Sequence, residues 1–284
     1  MSRDEEYLLG ADAAELARLR VQHEIWREPM LALMDAAGFR AGQTLLDLGC
    51  GPGWSTLELA RRTGPRGRVR ARDRWRAMTE AAERLCRENE LDWVEVECAD
   101  AATPLPEATF DGAYARWLFC WTPDPLPALH AVARALKPGG RLAIADYLRY
   151  APEVVLEPST PAFARGIAAV EASWRAAGGD PRIGEKLPDL LADAGLRVIR
   201  RDEIRSSGGP RDPLWGWPTS FFPLFMPKLV AGGFLTPPEA AAFLAEWPRA
   251  AADPRARFSA PTMLQLVAER PYPDRARCRA DAPS

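Results

Sequence analysis

Asp47, Gly49, Gly51 and Gly53 stand at alternating positions in the stretch TLLDLGCGPGWSTLELA, Thr44 to Ala60. An apolar run, a glycine-dense turn and an amphipathic run follow one another there. The order predicts a buried strand, a tight turn and a helix. Such a unit carries backbone N–H groups and a helix N-terminus close to a ligand. Glycine is needed where the ligand must approach the backbone at the place a Cβ would occupy. The carboxylate two residues before the first glycine sets the charge preference of the turn.

A dinucleotide fingerprint would place its third glycine at position 54, where the chain has Trp54. A pyrophosphate also disfavours a facing carboxylate, so Asp47 points to a ligand with a cation near the turn. S-adenosylmethionine, with an ammonium, a sulfonium and no phosphate, fits. The stretch resembles motif I of the class I S-adenosylmethionine-dependent methyltransferases: apolar residues, Asp, then three alternating glycines. FDGAYARWLFCWTPDP and ALHAVARALKPGGRLAIADY are similar to that family's fourth strand, following helix and fifth strand. The resemblance runs from about Gln43 to Tyr147.

The elements that must position the turn alternate. Asp12 and Glu15 form a helix N-cap pattern opening a helix to about Arg27, and Pro29 opens a second helical piece ending near Gly38. Leu16, Leu19, His23 and Trp26 share one helical stripe. Further strands are predicted at Arg68 to Asp73, Asp92 to Cys98, Phe110 to Arg116 and Arg141 to Tyr147. Helices are predicted at Met78 to Asn89 and Pro125 to Leu136. Leu196 to Ile204 and Arg257 to Ala268 read as the last two strands, preceded by a helix over Lys186 to Ala194. Strand–helix alternation implies parallel βαβ units. The expected fold is α/β: a Rossmann-like, seven-stranded, mostly parallel sheet with helices on both faces, plus helical cap insertions. The expected divisions are an N-terminal helical lid at 1–40, a cofactor-binding core at 41–150 and a helical insertion at 151–184. The core continues at 185–204, an aromatic-rich helical lid covers 205–256, and 257–284 holds the final strand and tail.

The resemblance implies which residues meet the cofactor. Asp47, Gly49, Cys50, Gly51 and Gly53 would face its methionine part. Asp73, with Arg74 beside it, closes the second strand, where a carboxylate accepts both ribose hydroxyls; Trp75 would lie against the adenine. Arg70 and Arg72 occupy positions where a doubly buried strand should be apolar. Snorkelling, carboxylate partners or a shifted register would each account for them. Asp100 and Ala101 would meet the adenine. Arg116 and Trp117 end the fourth strand beside the transferable methyl, and Arg116 suits a cofactor carboxylate, an acceptor anion or a loop brace. Tyr7, Arg18 and Gln22 on the N-terminal segment are further candidates to touch the cofactor or acceptor. Trp26, Phe163, Trp174, Trp215, Trp217, Phe221, Phe222 and Phe225 would line an apolar acceptor pocket roofed by the insertions.

Methyl transfer is an in-line displacement, for which proximity and a dry pocket supply much of the rate. A neutral hydroxyl acceptor would call for a general base, and His23, Asp146 and Tyr147 are the candidates. His130 reads as an outward or packed residue. Cys120 reads as a small apolar filler, and no metal-ligand spacing is present. The 284 residues carry a net charge of −2 and two histidines. Nothing there suggests a nucleic-acid footprint, and no apolar run reaches bilayer length. Five scattered cysteines without a C-x-x-C fit a reducing cytoplasm. The expectation is a cytoplasmic methyltransferase of specialised metabolism, monomeric or homodimeric. It uses S-adenosyl-L-methionine, leaves S-adenosyl-L-homocysteine, and acts on a small, partly apolar or aromatic acceptor at O, N or C. The alternatives are a protein or peptide methyltransferase, or a cofactor-binding regulator or scaffold without turnover. A nicotinamide oxidoreductase is disfavoured by Asp47 and Trp54.

Overall fold

The computed structural model describes residues 12–273. Its elements in chain order are α1 (Ala13–Ile25), α2 (Arg27–Ala36), β1 (Thr44–Leu48), α3 (Trp54–Thr63), β2 (Arg68–Asp73), α4 (Arg76–Glu88), β3 (Val94–Cys98) and β4 (Phe110–Arg116). They continue with α5 (Leu126–Ala135), β5 (Leu136–Arg149), β6 (Val155–Glu157), α6 (Pro161–Ala176), α7 (Leu187–Asp193) and β7 (Arg197–Ile204). The last are β8 (Ser207–Gly208), α8 (Gly216–Ala231), α9 (Pro237–Ala252), β9 (Arg257–Ser259) and β10 (Thr262–Glu269). Seven strands form one sheet in the order β3-β2-β1-β4-β5-β10-β7. The first five run parallel, and β10 lies antiparallel between β5 and β7. Crossover helices cover both faces, so β1 and β4 at the centre are almost wholly buried. Among the described residues no helix is long and apolar enough to cross a membrane.

Two departures from the sequence reading have physical causes. The expected last strand, Arg257 to Ala268, is two strands. β9 joins β6 and β8 in a separate three-stranded sheet, and β10 starts after Pro261, which has no N–H to donate to a ladder. The arginines of β2 have partners. Parallel register sets Arg70 beside Glu95 and Arg72 beside Glu97 of β3. Each guanidinium holds its carboxylate with two nitrogens, at 3.0–3.2 Å for Arg70 and 2.8–3.2 Å for Arg72. β3 is an edge strand, which explains why charge pairs stand where apolar residues were expected.

Above the carboxyl ends of the strands lie α1, α6, α8 and α9. Asp12 caps α1 by accepting the Glu15 N–H at 2.9 Å. The Glu15 carboxylate does not close a capping box; it binds Arg18 instead. The buried face of α1 is therefore Glu15, Arg18, Gln22 and His23. Leu16 and Leu19 of the expected apolar stripe are only half-buried. A polar face turned inward means this helix meets a site rather than a core.

Candidate functional site

β1 ends in a turn whose three glycines, Gly49, Gly51 and Gly53, all have positive φ. Gly49 N–H and Cys50 N–H both donate to the carbonyl of Arg72, tying the turn to β2. A Cβ at Gly53 would come within 2.9 Å of the Ala82 Cα, so glycine is required for α3 to pack on α4. A Cβ at Gly51 would meet no protein atom within 4 Å. That space is part of a cavity of about 490 Å³ at the carboxyl ends of the strands. The helix α3 begins at Trp54 with no side-chain cap. Its first N–H groups and positive dipole end are thus available to an anion.

One end of the cavity is polar. Asp73 accepts Gly51 N–H at 2.9 Å and Trp75 N–H at 3.0 Å. Asp73 lines the cavity. Burial raises its carboxyl above the usual carboxylate range, against the N–H groups of Trp75, Gly51 and Arg74 and the Arg74 charge. Asp100, Ala101, Arg74, Trp75 and Met78 complete this end. The turn after β3 is closed by Ala102 N–H on Asp100 Oδ1 and by Thr103 N–H on the Asp100 carbonyl. The guanidinium of Arg72 reaches the Thr103 carbonyl at 2.7 Å. Arg72 therefore couples the glycine turn, β3 and the Asp100 turn, a function its position in the sequence did not reveal.

The other end is aromatic. Trp117, Trp121, Tyr147, Tyr150, Trp174, Trp217, Phe221, Phe222 and Phe258 line it. Trp117 and Trp217 stack at 6.1 Å, and Tyr147 and Trp174 stack at 5.7 Å. Trp117 has φ of +49°, an unusual conformation for a bulky residue. It is held by its N–H on the Ala145 carbonyl at 2.9 Å and its Nε1 against Met263 Sδ at 3.4 Å. Such strain persists where the surroundings over-determine it, commonly at binding sites. Trp54, Trp121, Tyr150 and Phe258 were not among the residues expected here. Tyr150 and Phe258 reach the site from the end of β5 and from the small sheet, an arrangement with no local sequence signal.

Several expected site residues lie elsewhere. Asp47 does not line the cavity; it is buried behind the turn and accepts the Ser55 and Thr56 hydroxyls at 2.8 and 2.7 Å. Burial lifts its pKa to about 6 against those bonds. Gly53 is likewise behind the wall. His23 is not placed as a base. It is buried off the cavity, 5.7 Å from the Trp54 ring and 3.4 Å through Nδ1 from Arg116. Burial and then the Arg116 charge push its pKa down to about 4. Asp146 is fully buried and spends both oxygens on the N–H groups of Phe119, Cys120 and Tyr147. Tyr147 does line the cavity, but burial drives its hydroxyl well above the usual value, so it stays protonated. Trp26, Phe163, Trp215 and Phe225 pack ring on ring in the cap, against Trp217, Phe243, Trp247 and Phe221. Arg18, Gln22, Gly49, Cys50, Gly51, Asp73, Arg74, Asp100, Ala101, Arg116, Trp117, Trp174, Trp217, Phe221 and Phe222 are brought to one cavity. Tyr7 falls outside the described residues.

The cavity suits S-adenosylmethionine on independent grounds. The Gly51 space admits a ligand against the backbone, and Arg116 Nη1 is buried with no partner among the described residues, on the cavity that Trp54 and Ser55 of the uncapped α3 terminus also line. A carboxylate there would satisfy both. Asp73 presents a carboxylate on the cavity wall to vicinal hydroxyls.

Residues 46–144 match the family described as a methyltransferase domain. The trans-aconitate 2-methyltransferase of Methylobacterium radiotolerans is 35% identical over 166 residues, covering 58% of this chain and 59% of that protein. The O-methyltransferase resE of Aspergillus sclerotiorum is 33% identical over 172 residues, covering 60% and 61%. The chain spans about half the length of the curated relatives it matches. Among solved structures, geranyl diphosphate C-methyltransferase from Streptomyces coelicolor A3(2), in complex with S-adenosyl-L-homocysteine, shares the fold. Its TM-score is 0.57 at 18% identity, covering 87% of this chain and 77% of that one.

Proposed function

We propose that this chain, which carries the class I S-adenosylmethionine-dependent methyltransferase domain, transfers a methyl group to a small, partly aromatic acceptor. The observation that carries the reading is the two-ended cavity: a backbone cradle with carboxylates at one end and an aromatic enclosure at the other. Asp73 would hold the ribose hydroxyls, and Asp100 and Ala101 the adenine. The Gly49–Gly51 turn, the α3 terminus and Arg116 would hold the methionine end. Bound there, S-adenosylmethionine supplies an electrophilic methyl on a sulfonium. The protein's part is to position and to exclude water: Trp117, Trp217 and Tyr147 fix the acceptor plane, and α1 and α8 roof it. Asp47 acts through Ser55 and Thr56, keeping the α3 terminus at the turn rather than touching the ligand.

In this reading the described parts of the segments 1–40, 151–184 and 205–256 would serve as the cap on the core 41–150, continued through 185–204 and 257–284. A deep, aromatic-lined cavity favours a metabolite over a peptide, which would need a long open groove. The setting is a cytoplasmic enzyme of specialised metabolism, monomeric or homodimeric. Calorimetric titration with S-adenosylmethionine and S-adenosylhomocysteine tests the reading. Micromolar binding of both is expected; binding of neither would overturn it. Turnover of labelled S-adenosylmethionine on an acceptor panel separates an enzyme from a regulator or scaffold.

A further inference from the structure

The aromatic end of the cavity has a one-sided polar lining. Gln22 Oε1 accepts from Arg18 Nη1 at 2.7 Å and from Trp217 Nε1 at 2.9 Å. Two donors on one atom identify it as the oxygen, so the Gln22 NH₂ is the group left over. It makes no hydrogen bond among the described residues, and Gln22 lines the cavity. Tyr147 and Tyr150 line the same wall, and their hydroxyls make no hydrogen bond among the described residues. Among the described residues, the only carboxylates lining the cavity are Asp73 and Asp100, at the end of β2 and just after β3. In the sheet order β2-β1-β4-β5, three strand spacings, about 14 Å, separate Asp73 from the β5 end that carries Tyr147. No imidazole lines the cavity. The cations near the aromatic end are Arg18, bound to both oxygens of Glu15, and Arg116.

We infer, resting on the methyltransferase reading above, that the acceptor is a planar, conjugated oxyanion, a phenolate or enolate, received already ionised and held by Gln22, Tyr147 and Tyr150. Flat rings on several walls select a flat ligand. Donors without a facing base select an oxygen that brings its own negative charge, and donors to a charged oxygen are the strong ones. Burial keeps Tyr147 and Tyr150 in the protonated, donating form. In transfer, an electron pair of the anion forms the bond to the methyl carbon while the C–S pair stays on sulfur. The anion becomes neutral and the sulfonium becomes a thioether. No proton has to leave during the step, so no base is needed.

The test uses protein saturated with S-adenosylhomocysteine and three probes: 4-hydroxycoumarin as a planar enolate, coumarin as its neutral analogue and cyclohexanecarboxylate as a non-planar anion. 4-Hydroxycoumarin is expected to bind at least about tenfold tighter than either. Gln22→Glu preserves an acceptor for Arg18 and Trp217 but turns a carboxylate oxygen to the cavity; it should erase the preference. Tyr147→Phe and Tyr150→Phe should each reduce it severalfold. Equal binding of coumarin, equal binding of cyclohexanecarboxylate, or a preference that survives all three variants would overturn the inference. S-adenosylhomocysteine titration of each variant reports whether the site is intact. Failure of wild-type protein to bind S-adenosylhomocysteine would instead overturn the methyltransferase reading.

Discussion

Gly51 shows what one backbone position can decide. Its φ is +54°, and a Cβ there would enter the cavity and touch no protein atom. Gly51→Val therefore separates two effects. A β-branched residue in the left-handed region costs roughly 1–2 kcal/mol, a fall of a few degrees in Tm. The same side chain occupies the ligand's place, and S-adenosylhomocysteine affinity should fall about ten- to a hundredfold or more. Calorimetry beside a thermal melt checks both; native affinity would remove the turn from the site. His23 makes a second prediction, in pH. The imidazole has a folded pKa of about 4 against 6.5 unfolded. Between those values the unfolded chain binds the proton and the folded one does not, so stability falls as pH falls. The contribution is full above pH 6.5 and lost through pH 4, on the order of 3 kcal/mol. His23→Gln removes this term. The stability gap between wild type and variant, from denaturant melts at pH 7.5 and pH 4, should narrow by about that amount.

At the scale of elements, β2 and β3 set the end of the cavity proposed for the adenosine. Arg72 is almost fully buried, whereas the Arg70 side chain is 30% exposed. The Arg70–Glu95 pair is worth about 0–1 kcal/mol at such exposure. Arg72→Leu frees a half-solvated Glu97 and leaves the Thr103 carbonyl without its partner, a loss of about 1–3 kcal/mol. More telling, it unties the Asp100 turn, so S-adenosylhomocysteine affinity should drop severalfold while Arg70→Leu leaves it unchanged. Parallel titrations of the two variants check this, and equal effects would refute the coupling. The elements themselves were legible: β1, the glycine turn and α3 follow from one apolar–glycine–amphipathic pattern. The β2 arginines, by contrast, became intelligible only once register set them beside Glu95 and Glu97. The site was half legible for the same reason. Asp73, Asp100 and Arg116 sit at strand ends, which sequence locates. Tyr150, Phe258 and the inward polar face of α1 depend on how the cap folds back, which no local spacing encodes. Asp47 was found, but its partners are the Ser55 and Thr56 hydroxyls of α3, which a charge argument alone passes over.

For the whole molecule, the decisive contact is where the cap meets the core. Trp217 on α8 bonds Gln22 of α1, stacks on Trp117 at the end of β4 and presents an edge to Trp26 at 5.3 Å. The helix that carries it contains Pro223 and Pro227, which remove backbone donors within the helix. α8 is therefore held by its burial against α1, α6 and α9 more than by its own hydrogen bonds. Trp217→Ala removes the ring and the Gln22 bond together. Truncating a buried Trp costs about 3–5 kcal/mol in a packed core. Here the loss should be confined to the cap, because the seven-stranded sheet does not depend on α8 for its strand pairing. Hydrogen exchange should quicken over 216–231 and along α1, while β1, β4 and β5 stay protected. S-adenosylhomocysteine, which the proposed reading places at the far end by Asp73 and the glycine turn, should still bind. 4-Hydroxycoumarin, enclosed by the aromatic end, should not. Loss of both ligands with faster exchange throughout would mean that cap and sheet unfold as one unit and that the acceptor end cannot be opened alone.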